Sequence, residues 1–322
     1  MHNINERALI SESHINKLID SIGQALLGKP EQIKLALACL FARGHLLIED
    51  LPGMGKTTLA HAIADVLGLS YNRVQFTSDL LPADLLGMSV FNAQKTCFEF
   101  HQGPIFTQLL LADEINRTTA KTQSALLEAM EEAQVSIDGQ TRQLPNPFFV
   151  IATQNPQSSS GTFELPESQL DRFLMKIQLG YPSQQAERIL LKSLAESRKS
   201  RQIRDALEVQ LTPTQLTLVQ EQASKVGVSE QLLDYVQRLI AFTRGNDHFT
   251  LGLSPRGAIA LLSAAKAWAL IEGRDYLLPE DVQSVFPAIA GHRLQASVHA
   301  SSITNNQQLI DYVLANVDVI HS

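Results

Sequence analysis

The stretch LLIEDLPGMGKTTLA constrains the fold of this chain more than any other part of the sequence. A short apolar run precedes a glycine-rich loop, and apolar residues recur at helical spacing after it, so the order is strand, loop and helix. Gly53 and Gly55 permit a positive φ and a close approach of the backbone to an anion. Lys56 supplies a charge for the β- and γ-phosphates of a nucleotide, and Thr57 supplies a hydroxyl for Mg²⁺. The stretch therefore predicts a phosphate-binding loop in an α/β domain.

One position departs from the usual form of this loop, G-x-x-x-x-G-K-[ST], because Asp50 stands where the first glycine is expected. Aspartate tolerates unusual φ values better than most residues, so the loop can form if the carboxylate points away from the phosphates. An ordinary glycine-rich turn is the alternative, since short motifs also occur by chance. The loop residues that we predict to surround a nucleotide are Pro52, Gly53, Met54, Gly55, Lys56, Thr57 and Thr58.

The composition indicates a soluble globular chain of about two domains, with 322 residues, 44% of them hydrophobic and 18% charged. The sequence has no apolar run of transmembrane length, and its polar start lacks the order of a secretory signal, so we expect a cytoplasmic protein. Cys39 and Cys97 lie in apolar surroundings without a C-x-x-C partner, and we expect reduced structural thiols. A formal charge of −7 disfavours nucleic acid as a partner.

Apolar strands alternate with helical patterns in the first half of the chain. The strand candidates are residues 45–49, 73–76, 109–113, 148–153 and 174–179. This alternation predicts a parallel sheet that helices cover on both faces. The strand signals stop after the segment LGYPSQQ at residues 179–185, and the remainder has helical patterns separated by turns, which predicts a second, all-α domain.

Two adjacent carboxylates, Asp113 and Glu114, end the strand candidate at residues 109–113. Side chains at the carboxyl ends of parallel strands face the ligand crevice of an α/β sheet. We therefore predict that Asp113 holds Mg²⁺ through water and that Glu114 polarises an attacking water. The alternative is a solvated strand end, followed by a helix N-cap at Thr118 or Thr119.

Three further polar residues follow or precede predicted elements. The side-chain amide of Asn155, after a buried strand, could orient the attacking water, although asparagine is also a common turn former. Arg172 lies at a helix end, where it could reach the γ-phosphate of a neighbouring subunit; a surface ion pair with Asp171 is the alternative. Arg256 lies in the first turn of a helix that Ser254 caps, where a cation opposes the helix dipole and indicates an anionic partner.

The segments DLPGMGKT, LLLADEINR, ATQNP, LPESQLDRF and LSPRG resemble the MoxR family of AAA+ ATPases. The longer segments FTSDLLPADLLGMSVFN and FHQGPIFTQLLLADEINR make the resemblance more specific than the phosphate loop alone, and it covers about residues 22–294. It implies an α/β fold of the AAA+ type, an αβα sandwich with a five-stranded parallel sheet, followed by a smaller all-α lid. The implied divisions are a helical lead-in (1–27), the ATPase core (28–180), the lid (181–294) and a C-terminal tail (295–322).

The resemblance also implies two inserted elements, one near residues 84–101 and a hairpin before the segment ATQNP. The hairpin has its own support in the sequence, since QVSIDGQTRQL alternates around Asp138-Gly139, a strong hairpin signal. The tail is helical in pattern from residue 307 to residue 315. No role can be derived from the sequence for Asn116 and Arg117.

The resemblance assigns roles to residues that the motifs single out. Asn155 matches sensor 1, Arg172 the arginine finger and Arg256 sensor 2 of the family. Leu27 and Gly28 would lie beside the adenine. The implied cofactors are ATP and Mg²⁺.

The implied assembly is a homo-oligomeric ring, which we expect to be a hexamer, and ATP hydrolysis would drive chaperone-like remodelling or maturation of client proteins. Such clients often carry von Willebrand factor A domains. A nucleotide-dependent DNA-remodelling motor is the alternative, because inserted hairpins also occur in helicase relatives. A GTPase is disfavoured, since the sequence lacks an N-K-x-D-like segment for reading guanine.

Overall fold

The computed structural model describes residues 12–156, 163–195, 208–298 and 305–319. Residues 1–11 of the predicted lead-in and residues 299–304 and 320–322 of the predicted tail therefore lie outside the described residues. Within the described part of the chain, no helix is both long enough and apolar enough to span a membrane.

A five-stranded parallel sheet forms the centre of the first domain, as predicted. Its strands are β1 (Leu46–Glu49), β2 (Tyr71–Gln75), β5 (Leu109–Asp113), β8 (Phe149–Gln154) and β9 (Met175–Ile177), in the spatial order β2-β5-β8-β1-β9. β1 pairs with β8 and β9, and β5 pairs with β2 and β8, so β8 is the central strand. The carboxyl ends of all five strands consequently meet at one edge of the sheet.

Helices cover both faces of this sheet. They are α1 (Glu12–Ala25), α2 (Pro30–Phe41), α3 (Lys56–Val66), α4 (Pro82–Leu86), α5 (Ala120–Glu132) and α6 (Glu167–Leu170). Successive side chains of a strand point to opposite faces, and those of β1 divide between the two cores. Leu46 and Ile48 share one buried cluster with Leu59 of α3, whereas Leu47 shares the other with Leu126 of α5. The buried apolar face of each helix is thus matched to one face of the sheet.

Two antiparallel hairpins are inserted into the core. The first pairs β3 (Gly87–Asn92) with β4 (Cys97–Gln102), and the second pairs β6 (Gln134–Ile137) with β7 (Gln140–Gln143). Asp138 and Gly139 connect the second pair with φ values of 52° and 73°, as a two-residue hairpin turn of type I′ requires. Both hairpins lie in the segments where insertions were predicted.

The second domain consists of helices with one small strand pair. The helices are α7 (Gln184–Ala195), α8 (Pro213–Ser224), α9 (Glu230–Gly245), α10 (Pro255–Ile271), α11 (Pro279–Ala290) and α12 (Asn306–Asn316). The prediction of an all-α lid did not include the pairing of β10 (Phe249–Leu251) with β11 (Gln295–Ala296). These strands are too short and irregular to give an alternating signal.

The lid packs against the core through α10, which contacts α2 of the core. Within the lid, α10 contacts α8 and α11. Apolar residues of α10 and α2 belong to the same buried cluster. The predicted tail contributes α12, whose Leu309, Ile310 and Val313 are buried and which contacts α9 and α11. Of the two free cysteines, Cys39 is buried in α2 but Cys97 is exposed on β4, so the expectation of apolar surroundings was wrong for Cys97.

Candidate functional site

The glycine-rich loop joins the end of β1 to the start of α3. Gly53 and Gly55 have φ values of 86° and 96°, which residues with a side chain rarely adopt. A Cβ atom on Gly55 would also come within 2.8 Å of Cδ1 of Leu26. No side chain caps the first turn of α3, which leaves its N–H groups available to an anion. The loop therefore has the backbone geometry of a phosphate site.

The remaining predicted loop residues surround these glycines. Pro52 is exposed and Met54 half-buried in the loop, while Thr57 and Thr58 are half-buried in the first turn of α3. Lys56 opens the helix, and its side chain folds back over the loop. Its Nζ donates a hydrogen bond to the backbone oxygen of Asp50 (2.6 Å). Burial lowers the pKa of Lys56, and neighbouring carboxylates oppose that shift.

The first of the two adjacent carboxylates, Asp113, is buried at the end of β5. Its Oδ1 accepts a hydrogen bond from Oγ1 of Thr153 (2.6 Å), and its Oδ2 accepts one from Nη2 of Arg73 (2.7 Å). Thr153 lies on neighbouring β8 and Arg73 on neighbouring β2. Both partners therefore reach Asp113 because the sheet order places β5 between β2 and β8.

Glu114 follows in the left-handed conformation, with φ 58° and ψ 50°. Non-glycine residues are uncommon in this region and cluster at functional sites. Its carboxylate accepts hydrogen bonds from Nε2 of Gln75 (2.8 Å) and Nδ2 of Asn155 (2.9 Å), and it pairs with Arg117 (3.1 Å). Its backbone N–H donates to Oγ1 of Thr153 (2.9 Å). The carboxylate is thus held in one position and is not simply solvated, while Thr119 is the N-cap of α5 that the alternative also predicted.

Asn155 joins the two halves of the site. Its Oδ1 accepts a hydrogen bond from Nζ of Lys56 (3.2 Å), while its Nδ2 donates to Oε1 of Glu114. One side-chain amide therefore links the lysine of the loop to the carboxylate after β5. The preceding residue, Gln154, donates instead to Glu49 of β1. Residues that were predicted from three separate motifs are thus in direct contact.

The segment between α1 and α2 lies beside the loop. Gly28 has a φ of 72°, and a Cβ atom on it would come within 2.9 Å of Cβ of Ala186 in α7. The close approach and the positive φ both require glycine here. Leu27 is half-buried, and its neighbour Leu26 is the residue that packs against Gly55. The segment that was predicted to lie beside the adenine therefore lies between the loop and the start of the lid.

Arg172 and Arg256 meet at a different position, on Glu131 at the end of α5. Nη1 of Arg172 lies 3.3 Å from Oε2 of Glu131, and Nη2 of Arg256 contacts Oε1 of the same carboxylate. The predicted alternative for Arg172 was wrong, because Asp171 pairs with Arg293 at 2.6 Å. For Arg256, the predicted cap on Ser254 is present, and Glu131 is its anionic partner.

The two arginines lie at the sheet edge opposite the loop. The carbonyl oxygen of Met130, next to Glu131, is 3.1 Å from Nε2 of His45, which directly precedes β1. The N–H of Leu174, just before β9, donates to the backbone oxygen of His45 (2.9 Å). The end of α5 therefore lies at the amino ends of these strands. Lys56, in contrast, follows the carboxyl end of β1.

Comparison with known proteins identifies this arrangement. A family model described as ATPase family associated with various cellular activities (AAA) matches residues 45–175, and an AAA lid domain model matches residues 241–312. The protein YeaC of Bacillus subtilis is 45% identical over 280 residues, which are 87% of this chain and 86% of YeaC. Chaperone MoxR1 of Mycobacterium tuberculosis is 39% identical over 297 residues, which are 89% of this chain and 77% of MoxR1. The chain belongs to the MoxR family of AAA+ ATPases.

A crystal structure of a Cytophaga hutchinsonii protein agrees with this assignment. It matches with a TM-score of 0.86 and 36% identity, over 96% of either chain. The matched AAA region contains the loop, the adjacent carboxylates and Arg172, and the matched lid region contains Arg256 and most of α12. The MoxR resemblance and the AAA+ fold predicted from the sequence are both confirmed.

Sequence reasoning missed several polar residues of this MoxR-family site. Asp113 is contacted by Arg73 and Thr153. Glu114 is contacted by Gln75 and Arg117. Arg73 and Gln75 lie on β2, which pairs in register with β5. Their contact with the carboxylates could be predicted only if the strand order were known. Asn116, in a short 3-10 helix after β5, donates through Nδ2 to the backbone oxygen of Asn155 (3.2 Å).

Proposed function

We propose that this MoxR-family protein hydrolyses ATP in an Mg²⁺-dependent reaction and that it works as a homo-oligomeric ring, a hexamer. The observation that carries the proposal is the contact of Asn155 with both Lys56 and Glu114. This contact joins a phosphate-binding lysine to a fixed carboxylate, which are the two groups that phosphoryl transfer to water needs side by side.

The residues of the site divide the work of hydrolysis. The N–H groups of the loop and of the first turn of α3 would bind phosphate oxygens, with Lys56 adding charge at the β- and γ-phosphates. Glu114 would act as the general base that accepts a proton from the attacking water. Gln75 and Asn155 restrict the orientation of its carboxylate by hydrogen bonds. A base that is already oriented loses less entropy on the way to the transition state.

The donor set fits Mg²⁺ that arrives together with ATP. The hydroxyl of Thr57 and the carboxylate of Asp113 are hard oxygen donors, and Mg²⁺ is usually held by one or two carboxylates together with substrate phosphates. The described residues contain no group of three or more His, Cys, Asp or Glu side chains arranged to hold a metal alone. Thr57 and Asp113 would therefore hold the ion, which neutralises phosphate charge when bound.

Arg172 and Arg256 would act on the nucleotide of a neighbouring subunit. Both lie at the sheet edge away from their own loop, and together they share the single carboxylate of Glu131. Two guanidinium groups on one carboxylate leave an excess of positive charge at an exposed position, which suits a polyphosphate from another chain. In this proposal Arg172 is the arginine finger and Arg256 is a sensor 2 that acts in trans. Hydrolysis would then depend on assembly of the ring.

The work driven by hydrolysis is proposed to be remodelling or maturation of protein clients, such as proteins with von Willebrand factor A domains. The name Chaperone MoxR1 of the relative at 39% identity supports a protein partner. So does the inserted hairpin, where Phe91 and Phe98 are 52% and 72% exposed with ring centroids 5.4 Å apart. Large exposed apolar patches mark interaction sites, and this pair of rings would form part of such a patch. The cytoplasmic location stays a prediction.

The test is the turnover of ATP and GTP with Mg²⁺ by the parent protein and by Glu114→Gln. The variant should bind ATP as tightly as the parent, yet its turnover should fall by about 10²- to 10⁴-fold, the usual contribution of a general base. Glu128→Gln on the exposed side of α5 is the matched control. Undiminished turnover by Glu114→Gln would contradict the role of Glu114. Strong stimulation by DNA at moderate salt would instead favour the DNA-remodelling motor.

A further inference from the structure

The carboxylate of Asp50 is turned away from the phosphate side of the loop and towards the lid. Its Oδ2 accepts hydrogen bonds from the backbone N–H groups of Leu179 (2.7 Å) and Gly180 (2.6 Å), and its Oδ1 accepts one from the N–H of Leu51 (2.9 Å). Asp50 itself is buried. Because charge-assisted hydrogen bonds are roughly twice as strong as neutral ones, this carboxylate is a firm anchor for two consecutive peptide groups.

The anchored segment is the linker from the core to the lid, residues 178–183, between β9 and α7. A second charged group holds the same linker from the other side, since Nζ of buried Lys29 donates to the backbone oxygen of Tyr181 (2.6 Å). Lys29 directly follows the predicted adenine segment, and Asp50 begins the phosphate loop. The linker is therefore fixed by both chain segments that we expect to contact the nucleotide.

Asp50 also contacts the phosphate-binding lysine, on its backbone side. Its carbonyl oxygen accepts the hydrogen bond from Nζ of Lys56, while its side chain holds Leu179 and Gly180. A glycine at this position could turn the chain equally well, because Asp50 is not among the residues with positive φ. It would, however, leave two N–H groups of the linker without their acceptor. The aspartate thus does something that the usual glycine cannot do.

We propose that Asp50 is a positioning residue that couples occupancy of the phosphate loop to the linker of the lid. When Lys56 turns to a bound phosphate, its hydrogen bond to the carbonyl oxygen of Asp50 weakens, and the change reaches Leu179 and Gly180 through the same residue. The proposal deepens the proposed ATPase function and rests on it. Asp50 needs no contact with the nucleotide for this role.

The test compares hydrogen–deuterium exchange at Leu179 and Gly180 in the parent protein, Asp50→Gly and Asp50→Asn, with and without a non-hydrolysable ATP analogue. In Asp50→Gly these amides should exchange at least about tenfold faster, and the analogue should no longer alter their exchange. The KM for ATP should change by less than about threefold, whereas kcat should fall about tenfold, because loop contacts survive and coupling is lost. Asp50→Asn keeps one acceptor oxygen and should be intermediate.

Glu49→Gln is the matched control, since this neighbouring carboxylate contacts Gln154 and Lys176 rather than the linker. Unchanged exchange at Leu179 and Gly180 in both Asp50 variants would overturn the proposal. Loss of analogue binding in Asp50→Gly would also overturn it, because Asp50 would then act on the nucleotide itself. If Asp50→Gly does not fold, Asp50→Asn decides by the same two criteria. An inactive parent protein would refute the ATPase function, while the exchange data would still report on the coupling.

Discussion

Lys56 shows how single side chains of this site are placed by partners that lie far apart in the chain. Its ammonium bridges the carbonyl oxygen of Asp50, at the start of the loop, and the amide of Asn155, after β8. Both acceptors are uncharged, so a phosphate oxygen would be a stronger partner than either. The present contacts therefore hold the lysine near the loop without blocking its use.

Replacing this lysine gives the prediction at the residue scale. Lys56→Ala should weaken ATP binding by about 10- to 100-fold, since a hydrogen bond to a charged group contributes about 1.5–3 kcal/mol. Titration with a fluorescent ATP analogue measures the change. Lys225→Ala, at the exposed end of α8, is the control and should bind like the parent. Equal affinity of Lys56→Ala and the control would show that the loop lysine does not contact the phosphates.

At the scale of elements, the order β1, loop and α3 could be predicted because its signals are local. The apolar run, the two glycines and the helical spacing all lie within one short stretch. The end of β9 could not be predicted, because the apolar pattern continues to residue 179 while the strand ends at Ile177. Asp50, over a hundred residues earlier, takes the N–H groups of Leu179 and Gly180. A contact over such a separation leaves no trace in the local pattern.

The same limit applies to the polar partners of the site. The carboxylates Asp113 and Glu114 could be found from their place at the end of a buried strand. Their partner Arg73 could not, because it depends on β2 lying next to β5 in the sheet. The meeting of Arg172 with Arg256 depends on how the lid packs against α2. The two arginines could be singled out from the sequence, but Glu131 as their common partner could not.

A buried histidine where α2 leads into β1 gives the prediction at the element scale. Nδ1 of His45 accepts a hydrogen bond from the N–H of Val150 (3.0 Å), so Nε2 must carry the proton that faces the oxygen of Met130. Burial lowers the pKa of His45 to about 4, below its value of about 6.5 in an unfolded chain. The unfolded state therefore binds more protons between these values, and the free energy of unfolding should decrease as the pH falls below about 6.5.

The expected loss from His45 at pH 5 is about 2 kcal/mol relative to pH 7. Urea denaturation at the two pH values measures it in the parent and in His45→Gln, which keeps a donor and an acceptor but does not titrate. The difference between pH 7 and pH 5 should be smaller in the variant by about that amount. Comparing differences removes any effect of the substitution that does not depend on pH. Identical differences in the two proteins would show that His45 is not held neutral by burial.

At the scale of the whole molecule, the sheet separates two incomplete parts of one proposed catalytic site. One edge carries Lys56, Asp113 and Glu114, while the opposite edge carries Arg172 and Arg256 on Glu131. A rigid sheet with buried faces cannot bring its own two edges together. A ring of identical subunits can, because a head-to-tail interface places one edge of each subunit against the other edge of the next. The geometry thus favours a site that is completed only between subunits.

The last prediction tests this completion directly. Arg172→Ala should bind ATP but be nearly inactive, since an arginine supplied in trans contributes about 10³- to 10⁵-fold to the rate. Glu114→Gln should also be inactive, yet it keeps its own Arg172. In mixed rings, some sites combine the intact Glu114 of an Arg172→Ala subunit with the intact Arg172 of a neighbouring Glu114→Gln subunit. Turnover should therefore partly return. Arg238→Ala is the control, at a half-buried lid arginine that donates to the backbone oxygens of Asp318 and Val319. Mixed with Glu114→Gln, it should give no more turnover than Arg238→Ala gives alone. No recovery despite demonstrated subunit exchange would mean that Arg172 acts in cis or only in packing.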